Sequence, residues 1–200
     1  MPLDQPLEPP TIDPLNLPPA LQSLTIADRS VWVCDRAVPR NVVEALYADL
    51  STRSFTFTNQ DSAATEFVSH LIHQGELADE NPRTIGVVVK AVLDLLHQLG
   101  QPTFPLERVY VTTALFGDYQ HVHRDGDVWT AVFFVNPVWH TDWGGELLLY
   151  HDENASISTA VAPRSGRLVM FDGMLSHRAG VPSKYCPVAR LALVIKFLRS

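Results

Sequence analysis

A chain of 200 residues, 46% of them hydrophobic, is long enough for one domain with a sizeable core and too apolar to be disordered throughout. Its formal net charge of -7, with no cluster of basic residues, argues against a nucleic-acid partner, which needs a basic surface for the phosphate backbone. Two cysteines, Cys34 and Cys186, rule out a Cys-rich zinc site and a disulfide framework, and read as lone thiols.

No apolar run reaches the ~18 residues of a membrane span. No basic region followed by an apolar stretch opens the chain, so the expectation is a cytoplasmic protein without membrane contact. Residues 1–24 hold seven of the 15 prolines and read as an extended arm ahead of one domain over 25–200. In that domain "SVWVCD" (30–35) predicts a strand. "PRNVVEALYADLST" (39–52) predicts a helix with Val42, Val43, Leu46 and Leu50 on one side. "FTFT" (55–58) predicts a short strand and "SAATEFVSHLIHQGEL" (62–77) a helix. "PRTIGVVVKAVLDLLHQLG" (82–100) predicts a second helix, closed by Gly100.

The pattern changes near residue 105. Six short β-type runs follow, at 108–116, 129–136, 145–151, 155–162, 166–171 and 189–198, separated by "GD", "NP", "DWGG", "DEN", "PRSG" and "DG". The expected class is therefore α+β, mainly β. Supporting N-terminal helices (25–104) pack on a sandwich or barrel core (105–200). Nothing in the pattern assigns an oligomeric state.

Chemistry concentrates in "FGDYQHVHRDGD" (116–127). On an extended chain His123 and Asp125 face the same way, about 6.6 Å apart, close enough to share one ion. His177, in "FDGMLSHRAG", is the candidate third ligand. Two imidazoles and one carboxylate leave positions open on a metal, as in non-haem Fe(II) oxygenases. His121 also faces that way, but on a straight strand it lies about 13 Å from Asp125 and goes to packing or the pocket rim. A solvated polar turn is the competing reading, because a lone His-x-Asp is weak evidence.

From about residue 108 to 198 the order of motifs resembles the 2-oxoglutarate and Fe(II)-dependent oxygenases, in their prolyl-4-hydroxylase-like branch. These motifs are "FGDYQHVHRD", "FFVNPVW", "WGGELLLY", "VAPRSGRLVMFDGMLSHRAG" and "ARLALVIKF". The resemblance implies a double-stranded β-helix (jelly roll, cupin-like). It implies Fe(II) on His123, Asp125 and His177, with 2-oxoglutarate and O2 as cosubstrates. Arg190, 13 residues after His177, takes the place of the family's basic anchor for the distal carboxylate of 2-oxoglutarate. The chain departs from the family at Ala192, where a small hydroxyl residue is frequent.

Tyr110 and Thr112 share a strand face and are candidates for contact with 2-oxoglutarate; Tyr110 reads equally as a core aromatic. Tyr119, His121, Asp127 and Trp129 are candidates for the substrate pocket, Asp127 and Trp129 reading equally as part of a solvated loop. Trp139 and Trp143 read as packing or pocket-lip residues. Asp125 favours hydroxylation over halogenation, which in this family uses a small residue there. The implied activity is hydroxylation of an unactivated C–H of a small molecule, coupled to decarboxylation of 2-oxoglutarate to succinate and CO2. A peptidyl (prolyl-type) hydroxylase is one alternative. The other is a cupin-like metal-binding protein or isomerase that does without 2-oxoglutarate.

Overall fold

The computed structural model describes residues 20–60, 69–73, 81, 83–102, 104–152 and 157–199. In chain order the elements are β1 (Ala20–Ile26), β2 (Arg29–Asp35), α1 (Arg40–Leu50), β3 (Thr56–Gln60), β4 (Ser69–His73), α2 (Ile85–Gln98), β5 (Leu106–Ala114), β6 (Val128–Phe134), β7 (Leu147–Tyr150), β8 (Ile157–Val161), β9 (Leu168–Asp172), β10 (His177–Ala179) and β11 (Arg190–Leu198). They form an eight-stranded sheet of order β1-β2-β9-β6-β11-β5-β4-β3 and a three-stranded sheet of order β10-β7-β8. Every named pairing is antiparallel. Two antiparallel sheets face to face make the expected double-stranded β-helix.

The central strands of the large sheet, β9, β6 and β11, are buried on both faces, which explains their near-continuous apolar sequence. Alternation sends Trp129, Ala131 and Phe133 of β6, and Leu191, Leu193, Ile195 and Phe197 of β11, to a core shared with the helices. Helix α1 adds Val43, Leu46 and Leu50 to that core, and α2 adds Ile85, Val88, Val92, Leu95 and Leu96. Both sets follow the three-to-four spacing of a buried helical stripe. The opposite face of the large sheet contributes Val132, Phe134, Val169, Phe171 and Ala192. They meet Leu147, Leu149 and Val161 of the small sheet in a second core.

Three sequence expectations change. The predicted arm gives up its last residues: after Pro19 the chain becomes β1, pairing along β2 from Ala20↔Asp35 to Ile26↔Arg29. The arm's residues 1–19 lie outside the described residues. The helix expected over 62–77 is replaced, where described, by strand β4, which pairs with β3 and β5. Its apolar run was compatible with either period, and strand pairing at the β5 edge decides it. Strand β10, only three residues long, was not expected at all. The other strands and both remaining helices lie within a few residues of their predicted spans.

One part-buried ion pair ties β2 to the loop before β9. Arg167 donates Nε (2.5 Å) and Nη2 (2.9 Å) to the two carboxylate oxygens of Asp35, a bidentate pair, and its Nη1 to the carbonyl of Ala162. These bonds outweigh desolvation and lower the Asp35 pKa. Cys34 and Cys186 are both free thiols. No helix among the described residues is long and apolar enough to cross a membrane.

Two outcomes follow for stability. Leu46→Ala, which opens a cavity between α1 and the sheet, should cost about 2–5 kcal/mol in urea unfolding. Because the Asp35 pKa is lowered on folding, its contribution is present above the unfolded value of about 3.9 and lost as pH falls through the folded one. Asp35→Asn should therefore reduce stability at pH 7, with the difference from the parent chain shrinking in acid.

Candidate metal centre and cosubstrate cleft

His123, Asp125 and His177 converge, their ligand atoms all lying within 4.8 Å of one another. Backbone pairing brings them together. His123 and His177 form an isolated antiparallel bridge, His123 N–H donating to His177 O (3.0 Å) and His177 N–H to His123 O (2.9 Å). That exchange of both hydrogen bonds extends the small sheet by one position. The Asp125 N–H donates to Gly173 O at 2.7 Å, anchoring the turn through Gly126 (φ 93°) that re-enters β6.

The tautomers follow from the hydrogen bonds. His123 Nδ1 lies 2.9 Å from the carbonyl of His121, and His177 Nδ1 lies 2.8 Å from the carbonyl of Leu175. A carbonyl only accepts, so each Nδ1 carries the proton and each Nε2 offers its lone pair to the centre. These nitrogens face Asp125: His177 Nε2 is 3.4 Å from Oδ2 and His123 Nε2 is 3.8 Å from Oδ1. The Asp125 side chain is only 7% exposed. Burial alone would raise its pKa. Where the His177 ring carries a second proton, its positive charge and Nε2–H, together with the Lys196 ammonium 2.6 Å from Oδ1, overcome that and hold the carboxyl well below the usual range. A nitrogen–nitrogen–carboxylate set of this kind suits Fe(II).

The centre opens into a cleft of about 690 Å³, counting its mouth, between the two sheets. Tyr110 and Thr112 of β5, Val132 of β6 and Leu147 of β7 line it, as do Gln120 and Ala179. At one end lies Arg190, the first residue of β11, fully buried. Its Nη1 donates to Gly145 O at 2.7 Å, while its buried Nε has no hydrogen-bond partner among the described residues. Desolvation pushes the guanidinium down to about 10, with Glu146 opposing the shift, so the group is charged at neutral pH. A charged, buried guanidinium with a spare donor at the end of a cleft fits a carboxylate ligand such as the far end of 2-oxoglutarate. The glycine pair keeps this corner open. At Gly145 (φ 74°) a Cβ would stand 3.2 Å from Arg190 Cδ and 3.3 Å from the Trp139 ring.

The four candidates for the substrate pocket, Tyr119, His121, Asp127 and Trp129, do not line this cleft. Tyr119, 46% exposed, stacks edge-on against His121 and under the Arg178 guanidinium, on the outer surface. Asp127 is exposed and 3.9 Å from Arg199. Trp129 is buried in the helix-side core against Trp32 and Phe104, because strand alternation gives the inward position to its neighbour Thr130. Trp139 packs against Trp143 and donates its indole N–H to Gly144 O. Sequence reasoning missed Thr130 and Lys196, which grip Asp125. Once Arg190 was placed facing inward, period-two counting along β11 pointed to Lys196 as well.

Gly173 tests the geometry of the turn. A Cβ there would fall 2.8 Å from the carbonyl oxygens of Gly126 and Val128. Gly173→Ala should destabilise the protein by about 1–3 kcal/mol in chemical unfolding. It should also weaken metal binding more than Gly86→Ala, where a Cβ meets nothing within 4 Å.

Residues 110–196 match the family model described as the 2OG-Fe(II) oxygenase superfamily. A comparison with curated protein sequences returned no match. Among solved structures, the chain is similar to a prolyl hydroxylase from Trichoplax adhaerens, in complex with a hypoxia inducible factor oxygen degradation domain peptide. That match has a TM-score of 0.64 and 17% identity, over 84% of this chain and 83% of the other. It is similar to a Pseudomonas putida prolyl-4-hydroxylase (TM-score 0.60, 22% identity, 84% and 92% covered). The α-ketoglutarate-dependent epimerase SnoN from nogalamycin biosynthesis also shares the fold (TM-score 0.61, 12% identity, 84% and 77% covered). Residues 110–196, which hold the His-Asp-His cluster, thus match the 2-oxoglutarate/Fe(II)-dependent oxygenase superfamily, whose members work with Fe(II), 2-oxoglutarate and O2, and the jelly roll that carries them is the fold of these solved structures.

Proposed function

We propose that His123, Asp125 and His177 hold the Fe(II), that Arg190 binds the distal carboxylate of 2-oxoglutarate, and that the enzyme hydroxylates an unactivated C–H of a small molecule. The observation that carries the reading is the pairing of two features in one cleft. The three converging ligand atoms border it, and the buried Arg190 with its spare donor closes it. Iron bound there supplies the O2 activation that couples decarboxylation of 2-oxoglutarate to oxidation of substrate. The protein binds, orients and excludes water. Both Nε2 atoms and one ionised carboxylate are aimed at a common point, and Val132, Leu147, Ala192 and Val194 give the cleft an apolar side.

Thr112 takes over the contact that Ala192 lacks. The two residues are partners across β5 and β11, and the Thr112 hydroxyl lies in the cleft, 3.5 Å from Ala192 O. Tyr110, one turn of the pleat away on the same face, lines the cleft and offers a phenol. The second reading, a prolyl peptide as substrate, is favoured by the likeness to two prolyl hydroxylases, one of them peptide-bound.

An anaerobic titration of metal-free protein with Fe(II) and then 2-oxoglutarate should produce the weak visible charge-transfer band of a chelated 2-oxo acid. His177→Ala should abolish it. Arg190→Ala should keep Fe(II) binding but weaken 2-oxoglutarate at least about 30-fold, since truncating one side of a buried charge pair costs upward of about 2 kcal/mol. An unchanged band in both variants sinks the assignment. O2 uptake with free amino acids and with prolyl peptides then separates the two substrate readings.

A further inference from the structure

Lys196 is buried where a lysine is costly. It lies on the inward face of β11 in the row Arg190, Ala192, Val194, Lys196, and its side chain is 7% exposed. An ammonium held out of water needs a fixed partner. Its Nζ donates to Asp125 Oδ1 at 2.6 Å. Thr130, the residue paired with Lys196 across β6 and β11, donates its hydroxyl to Asp125 Oδ2, also at 2.6 Å. Each carboxylate oxygen thus receives one donor, and both donors come from one rung of the large sheet. Asp125 itself sits in the connecting segment between β5 and β6. The plane of its carboxylate is therefore set by the sheet and not by the segment that carries it. Lys196 does not line the cleft, so it reaches the centre only through Asp125.

We propose that Lys196 and Thr130 are positioning residues that fix the rotation of the Asp125 carboxylate, so that it meets the metal through a single oxygen. The inference rests on Asp125 being a metal ligand. The last torsion of an aspartate is broad and two-fold, so an unheld carboxylate turns freely. Turned, it can chelate through both oxygens and take up a position that a bidentate 2-oxo acid and O2 need. Each held oxygen keeps lone-pair capacity for the metal beside its one donor. Two effects of Lys196 oppose each other: its charge repels a cation, and its hydrogen bond orients the ligand. Thr130 carries only the second effect, so a matched pair of variants separates them.

The test compares the parent chain with Lys196→Met, Thr130→Val and Thr130→Ser. Metal-free protein is titrated anaerobically with Fe(II) and then 2-oxoglutarate, reading the Fe(II) dissociation constant and the energy of the charge-transfer band. Thr130→Val keeps the shape of the side chain and should weaken Fe(II) binding about 10–100-fold, as outer-layer changes at metal sites do. It should also displace the band. Thr130→Ser, which restores the hydroxyl, should return both towards the parent values. Lys196→Met should displace the band in the same sense. If Lys196→Met does not fold, the two Thr130 variants carry the test alone. Folded variants with lowered melting temperatures but the parent's Fe(II) affinity and band would overturn the proposal, leaving the pair a purely structural one. A parent chain that binds no Fe(II) would sink the ligand assignment instead, and this inference with it.

Discussion

A carboxylate enclosed between two sheets must be kept charged, and much of the structure follows from that need. Asp125 has lost nearly all its water, and the desolvation is offset by His177 and by the ammonium of Lys196, with the Thr130 hydroxyl on the second carboxylate oxygen. None of these comes from its own segment. The donors lie on β6 and β11, the histidine on β10, and the backbone acceptor on the residue after β9. Keeping Asp125 ionised therefore requires both sheets to be assembled and in register. A one-residue slip of β11 against β6 would send Lys196 to the helix side and bring Phe197 in.

Strand β11 meets this demand by doing two jobs on two faces. Its odd-numbered positions, Leu191, Leu193, Ile195 and Phe197, are wholly committed to the helix-side core. That leaves the even-numbered positions free to be Arg190, Ala192, Val194 and Lys196. Helices α1 and α2 never approach the cleft, yet they set it up. Without Leu46, Leu50, Val88 and Val92 to bury one face, the strand would have to spend its other face on apolar contacts. The two charged residues stand at opposite ends of the row. One is aimed into the cleft with a donor to spare, and the other is spent on Asp125.

Much of this was legible in the sequence. The β-rich second half could be read from alternating runs and turn residues, and the His123–Asp125–His177 cluster from motif order. The rest depended on partners distant in sequence. Strand β4 looked helical because a short apolar run carries no decisive period, and only its position beside β5 makes it a strand. Strand β1 was hidden behind a proline-rich stretch whose composition masked where pairing resumes. Trp129 looked like a pocket residue because it is near His123 and Asp125 in sequence. On a strand, adjacent residues face opposite ways, and that proximity was misleading. Lys196 was the avoidable omission, since it shares the face already assigned to Arg190.

The two halves of the cleft are held with unequal strength. Arg190 and Lys196 belong to a strand paired along its length on both sides, by β5 and β6, deep in the large sheet. His123 is joined to its neighbour by a single bridged position, and β10 beyond it is three residues long. Local opening takes the weakest cooperative unit first. Amide protons of β11 should thus exchange with deuterated solvent far more slowly than those of His123 and Asp125. Under mild denaturant, the His123–Asp125–His177 cluster would come apart while Arg190 stayed seated in the large sheet.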